Sequence, residues 1–185
     1  MPKGNYFVDW IADELFVVIF KTKHIDEQEV IHSALTFATK LIYAKEKFFE
    51  KYQLPENIDV GVSCGDAIIG LMGPKAHKKA TALGDVPGTA RRIQDFGKKL
   101  KQKFGKTDRI IFDKSVFALA PANIKGIRTY AMSDPNEIRD VKCDYVFFLD
   151  PLLSKQKGTK GKKNKLGHTK EEDDERPRKI KSATY

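Results

Sequence analysis

Chemistry in this chain would fall to a small set of residues. Asp13 stands just ahead of Glu14 and the apolar run Leu15-Phe16-Val17-Val18-Ile19-Phe20. A carboxylate in that position either serves a turn or faces a cation. Arg91 and Arg92 stand side by side on a basic segment that reads as helix. Such a pair is either solvated surface or a holder of anionic oxygens. Between these points lies Val60 to Arg92, with glycines at 61, 65, 70 and 73 and then Gly84-Asp85. Glycine at that density permits tight turning and close backbone approach, more than a plain hairpin needs. The remaining reactive types point away from chemistry. His24, His32, His77 and His168 are scattered, and neither they nor the cysteines have zinc-ligand spacing. Cys64 and Cys143 are far apart in sequence, so a reduced, cytoplasmic protein without a structural disulfide is expected.

The elements that must position these residues can be read from the pattern. Phe7 to Phe20 holds a pair of strands, the second being the apolar run. Asp26 followed by Glu29 is a capping box, and it predicts a helix to about Tyr52. Its apolar stripe is Val30, Ile31, Ala34, Leu35, Ala38, Leu41, Ile42, Phe48 and Phe49. Pro55 to Asn57 breaks the chain. Val60 onward reads as a strand, a tight turn at Ser63-Cys64-Gly65-Asp66, and a second strand over Ala67 to Met72, together a hairpin. A basic loop then leads to Gly84, after which a helix turns Ala90, Ile93, Phe96 and Leu100 inward. Arg109 to Phe112 reads as a strand, Lys114 to Leu119 as a short helix ended by Pro121, and Asp144 to Leu149 as a last strand. Strands alternating with helices imply a compact α/β or α+β sandwich with helices packed on a sheet face.

Composition sets the domain limits. An apolar fraction of 41% supports one core, expected over residues 1–152. Residues 153–185 lose that apolar content to KQKGTKGKKNK, EEDDE and RPRKIK, a composition expected to stay disordered. From Ser154 onward there are 11 Lys and Arg against 5 acids, so most of the net charge of +9 belongs to this tail. Its basic blocks suit weak contact with an anionic surface, which the neighbouring acidic block opposes. Only Tyr185 offers an aromatic ring there, so no specific nucleic-acid partner is expected. No apolar run approaches membrane-spanning length, and no signal-like start is evident.

The glycine-rich segment resembles the central signature of class III nucleotidyl cyclases, the adenylate and guanylate cyclase catalytic domain. Val60-Gly61-Val62, Gly65, Gly70 and Gly73 follow that family's V-G-I-x-x-G-x-x-x-x-G-x-x-G pattern. Gly84-Asp85-Val86-Pro87-Gly88-Thr89-Ala90-Arg91-Arg92 follows its G-[DN]-x-V-N-x-A-x-R. Asp13, with the apolar strand after it, resembles the K-x-[IL]-G-D element. The resemblance covers about residues 7 to 149 and implies the ferredoxin-like, palm-type α+β sandwich of that family, with a mostly antiparallel mixed sheet.

The resemblance also implies roles. Asp13 would be a metal-binding aspartate for Mg²⁺ or Mn²⁺. Arg92 would stabilise charge developing on the phosphates, and Thr81 would contact the base. Lys142 lies near the family's phosphate lysine. Gly88 stands where the family has a ribose-orienting Asn, and glycine has no side chain for that contact. Ala12 replaces a Gly and Asp9 a base-contacting Lys, so base preference is open. The family's opening strand, with its first metal aspartate, has no counterpart before Asp13, so the domain is expected to be N-terminally incomplete. The substrate implied is a nucleoside triphosphate and the product a cyclic nucleotide in signalling. The working form implied is a homodimer, or a heterodimer with another cyclase domain. The alternative is a catalytically degenerate cyclase-homology domain kept for dimerisation or regulation. Ala12-Asp13-Glu14-Leu15-Phe16 also resembles the GGDEF element of diguanylate cyclases, but both glycines are missing and the Gly84 motif would be unexplained.

Overall fold

The computed structural model describes residues 5–52 and 57–152. The charged tail beyond residue 152 and the stretch around Pro55 lie outside the described residues. Apolar alternation in the first segment makes a hairpin of β1 (Tyr6–Ile11) and β2 (Glu14–Ile19), whose last pair is Ile11 opposite Glu14. Its turn is Ala12-Asp13, with Ala12 at φ 55.

Helix α1 (Glu27–Tyr52) begins at the expected capping box. Asp26 Oδ1 accepts from the Glu29 amide at 2.8 Å, and Glu29 Oε2 accepts from the Asp26 amide at 3.4 Å. The helix buries Ile31, Leu35, Ala38 and Ile42, one residue per turn, while Phe48 at its far end is exposed.

The rest of the chain is β3 (Asp59–Val62), β4 (Ile68–Met72), β5 (Lys79–Leu83), α2 (Asp85–Phe104), β6 (Arg109–Phe112), α3 (Lys114–Leu119), β7 (Ile127–Ala131) and β8 (Tyr145–Leu149). A four-stranded mixed sheet runs β3-β6-β8-β7, parallel at β3-β6 and antiparallel elsewhere. Side-chain alternation along β6 and β8 builds two cores. Ile110, Phe112, Phe147 and Leu149 meet α1, whereas Ile111, Val146 and Phe148 meet Ile93, Phe96 and Leu100 of α2. The two long helices therefore cover opposite faces of this sheet. Each fully buried Ile or Leu contributes about 1.5–3 kcal/mol, so these two clusters hold the fold together. Lys45 of α1 also reaches Asp108 at 2.9 Å, and Asp108 accepts the Ile58 amide at 2.7 Å, tying α1 to the start of β3.

Two sequence expectations need correction. The segment from Val60 to Met72 is not a hairpin: β3 pairs with β6, while β4 turns away and pairs with β5. The stretch expected to be a basic loop supplies β5. The tight turn lies at Gly73 to His77, where the His77 amide donates to the Pro74 carbonyl at 2.9 Å. Gly73 has φ 120, and a Cβ there would sit 2.6 Å from the His77 carbonyl oxygen, so glycine is required. Sequence reading also missed β7, a short edge strand entered through Gly126 at φ 81. The α+β class and the mixed, mostly antiparallel sheet stand as expected. No helix among the described residues is long and apolar enough to cross a membrane.

Candidate active site at the head of helix 2

Helix α2 starts where β5 ends, and glycine decides how. Gly84 takes φ 131 at the N-cap and makes no side-chain cap, and Pro87 fits the first turn, where no amide hydrogen is needed. The helix then lies very close to β3. A Cβ on Gly61 would come within 2.9 Å of Gln94 and closer still to the Ala90 carbonyl. Gly61 thus sets the height of α2 over the sheet, and with it the position of Gly88, Arg91 and Arg92.

Arg91 links this helix to the first hairpin. Its guanidinium donates to the Glu14 carboxylate and, through Nε, to Asp95 Oδ2 at 3.3 Å. Glu14 follows Asp13 directly, so the β1-β2 turn is held beside the first turns of α2. Asp13 itself is exposed. Arg92 is half-buried. It reaches Asp140 Oδ2 with Nη2 at 2.9 Å, while its Nη1 lies 3.9 Å from where a Gly88 Cβ would be. Gly88 therefore leaves open ground beside the arginine.

Thr81 lies in mid-β5, opposite Gly70. Two residues away on the same strand face, Lys79 reaches Asp9 of β1 at 2.9 and 3.1 Å, so the Thr81 face of β5 looks toward β1. The Lys79 ammonium, first through its hydrogen bond, holds the Asp9 carboxyl below its ordinary value of 3.8. Lys142 is exposed, two residues beyond Asp140. Asp13 thus lies in the turn that Glu14 and Arg91 hold beside α2, and Gly88 and Arg92 lie one turn apart on α2 itself. Lys142 lies on the loop that Arg92 grips, and Thr81 lies on the second hairpin.

Sequence reasoning missed Glu14, Lys79 and Asp140. Glu14 next to Asp13 and Lys79 two residues before Thr81 were visible as charges near the motif. Asp140 carried no local signal, because its role depends on a loop returning from β7.

These residues do not make a divalent-metal centre by themselves. Asp13 is a single exposed carboxylate and its neighbour Glu14 is committed to Arg91. Among the described residues no three His, Cys, Asp or Glu side chains cluster as a metal site. Cys64 and Cys143 are free thiols packed against different cores, and burial pushes both above the ordinary thiol range. That disfavours a thiolate at either place.

No protein-family profile matches the chain, and no curated protein matches it. Among solved structures, the crystal structure of the guanylyl cyclase Cya2 is similar at a TM-score of 0.57 and 16% identity. That similarity covers 77% of this chain and 68% of the other. At such identity the likeness is one of fold. The chain has a cyclase-like α+β fold.

Proposed function

We propose that this chain is a nucleotidyl-cyclase-type domain that binds a nucleoside triphosphate and works as a dimer. The observation that carries this is the placement of Arg92. It stands one turn past Gly88 on a helix pinned to the Asp13 turn by Arg91 and Glu14. Forming a bond from the ribose 3′-oxygen to the α-phosphorus releases pyrophosphate, whose growing negative charge needs a fixed cation. Arg92 is that cation in this reading, and Lys142 adds positive charge nearby. Thr81 faces the base, and Asp13 would be one carboxylate ligand for the Mg²⁺ or Mn²⁺ ion that the cyclase-like fold implies. A divalent metal ion is the cofactor that the cyclase-like fold implies, and when bound it would offset charge on the phosphates.

Dimerisation is supported by the second hairpin. Ile68 is 70% and Leu71 68% exposed, on opposite faces of a two-stranded sheet, so each face carries an apolar side chain with little cover of its own. A second reading, a regulatory domain without turnover, is favoured by Gly88, which offers no side chain to orient a ribose. Location in the cytoplasm and the domain limits of 1–152 belong to the same proposal.

The test is cyclic-nucleotide production, measured by mass spectrometry, from ATP, GTP, CTP and UTP with Mn²⁺, alongside Asp13→Ala and Arg92→Ala. Product lost in both variants supports turnover and names the base. Nucleotide binding without product, weakened by Arg92→Ala, supports the regulatory reading. No nucleotide binding by folded protein sinks both.

A further inference from the structure

Arg92 already has an anion. Its partner Asp140 sits at a two-residue turn between Ile138 and Val141, at φ 54, a backbone conformation that Asp and Asn tolerate better than most residues. The turn is fixed rather than loose. Ile138 and Val141 are buried in the core under α2, and the Val141 amide donates to the Ile138 carbonyl at 3.0 Å. Glu137, just before them, bonds Lys99 of α2, the Tyr130 hydroxyl at 3.3 Å and the Ser133 amide at 3.0 Å. The fold therefore delivers the Asp140 carboxylate to the Arg92 guanidinium. Arg139 Nε stands 3.4 Å from the same Asp140 oxygen.

We propose that Asp140 is a built-in competitor at an oligophosphate site. Its carboxylate occupies the Arg92 guanidinium and must swing away before a phosphate group binds there. This rests on the reading of Arg92 as the phosphate-facing cation. The pair is suited to displacement: the Arg92 side chain is 38% and Asp140 60% exposed, so solvent screens the attraction. A phosphate chain brings more charge and the same paired-oxygen geometry to a guanidinium. Only the Asp140 side chain has to rotate, because its backbone is held on both sides. The displaced carboxylate would be hydrated at this exposed position, with the 91% exposed Arg139 side chain next to it in sequence.

The test is calorimetric titration of the full chain with inorganic pyrophosphate at low ionic strength. Asp140→Asn keeps the backbone preference and removes the charge, and it is expected to bind about fivefold more tightly, the scale of one exposed ion pair. Asp144→Asn, on the same loop, removes an equal charge away from Arg92 and should leave binding near the wild type. Arg92→Ala should bind weakly, and adding Asp140→Asn to it should restore nothing. Equal affinity in wild type and Asp140→Asn overturns the proposal, as does an equal gain without Arg92, or no measurable pyrophosphate binding by either folded protein. The readout needs no turnover, so a chain that makes no cyclic nucleotide can still show the competition.

Discussion

Gly97 of α2 lies directly over the Asp59 carboxylate of β3. A Cβ on Gly97 would collide with that group, and the most distant of its three nearest atoms, Asp59 Oδ1, would be only 2.9 Å away. The carboxylate is buried there and bridged to Lys101 Nζ at 2.8 Å. Gly97→Ala should therefore destabilise the protein by about 1–2 kcal/mol, even though alanine is about 1 kcal/mol the better helix former. Urea denaturation measures this, and a double-mutant cycle identifies the cause. In an Asp59→Ala background the collision is gone, so Gly97→Ala should become neutral or stabilising. A penalty that persists there would place the strain elsewhere.

Asp59 and Asp9 should respond to pH with opposite signs. Burial is the main influence on Asp59 and lifts its carboxyl above the ordinary 3.8, with the Lys101 hydrogen bond and charge offsetting only part. The folded state then binds this proton more readily than the unfolded chain does, so stability falls as pH rises from 3.8 through the folded value. Asp59→Asn removes that slope. Its stability relative to wild type should be greater at pH 7 than at pH 4. Asp9 is lowered by Lys79, so its contribution is present above 3.8 and disappears as pH falls through its folded value. Asp9→Asn should lose nothing in strong acid, and salt should shrink its effect at neutral pH. Stability curves for both variants at several pH values decide the matter, and parallel curves would contradict it.

Ala12→Gly should stabilise the first hairpin by about 1 kcal/mol, because Ala12 holds φ 55 in a two-residue turn where glycine bears no Cβ penalty. The gain should be read as a higher unfolding midpoint with an unchanged denaturant slope. A lower midpoint would mean that the flexibility glycine adds to the unfolded chain outweighs the relief.

Local signals made some of this legible and distance hid the rest. The Asp26-Glu29 box announced α1, and the spacing of Ile93, Phe96 and Leu100 announced the buried face of α2, because both depend on neighbours within a helical turn. Gly84 and Arg92 stood out because glycine and cation spacing is written into the chain. The partner of β3 was not legible. Val60 and Val62 look alike beside β4 or β6, and only Gly61 under Ala90 and Gln94 reveals that β3 belongs beneath α2. The basic residues of 75–79 masked β5, since lysine depresses a strand reading although Ala80 and Ala82 turn inward. Asp140 opposite Arg92 is a contact across 48 positions and has no local trace.

The exposed apolar hairpin offers the remaining prediction. Ile68 and Leu71 point to opposite faces of β4, and both are largely uncovered. Replacing either by lysine on an exposed site should change monomer stability by only about 0.5 kcal/mol. If a second copy covers this hairpin, a lysine on the covered face must lose its hydration or keep the copies apart, and the dimer should dissociate. Size-exclusion chromatography with light scattering on Ile68→Lys and Leu71→Lys separately would show which face is used. A dimer lost in one variant assigns the interface to that face, and loss in both places the hairpin within it. Wild-type protein that is a monomer at high concentration, or a dimer untouched by either lysine, would remove the hairpin from the assembly. Turnover or pyrophosphate binding measured on the dissociated variant would then tell whether the Arg92 site is complete within one copy.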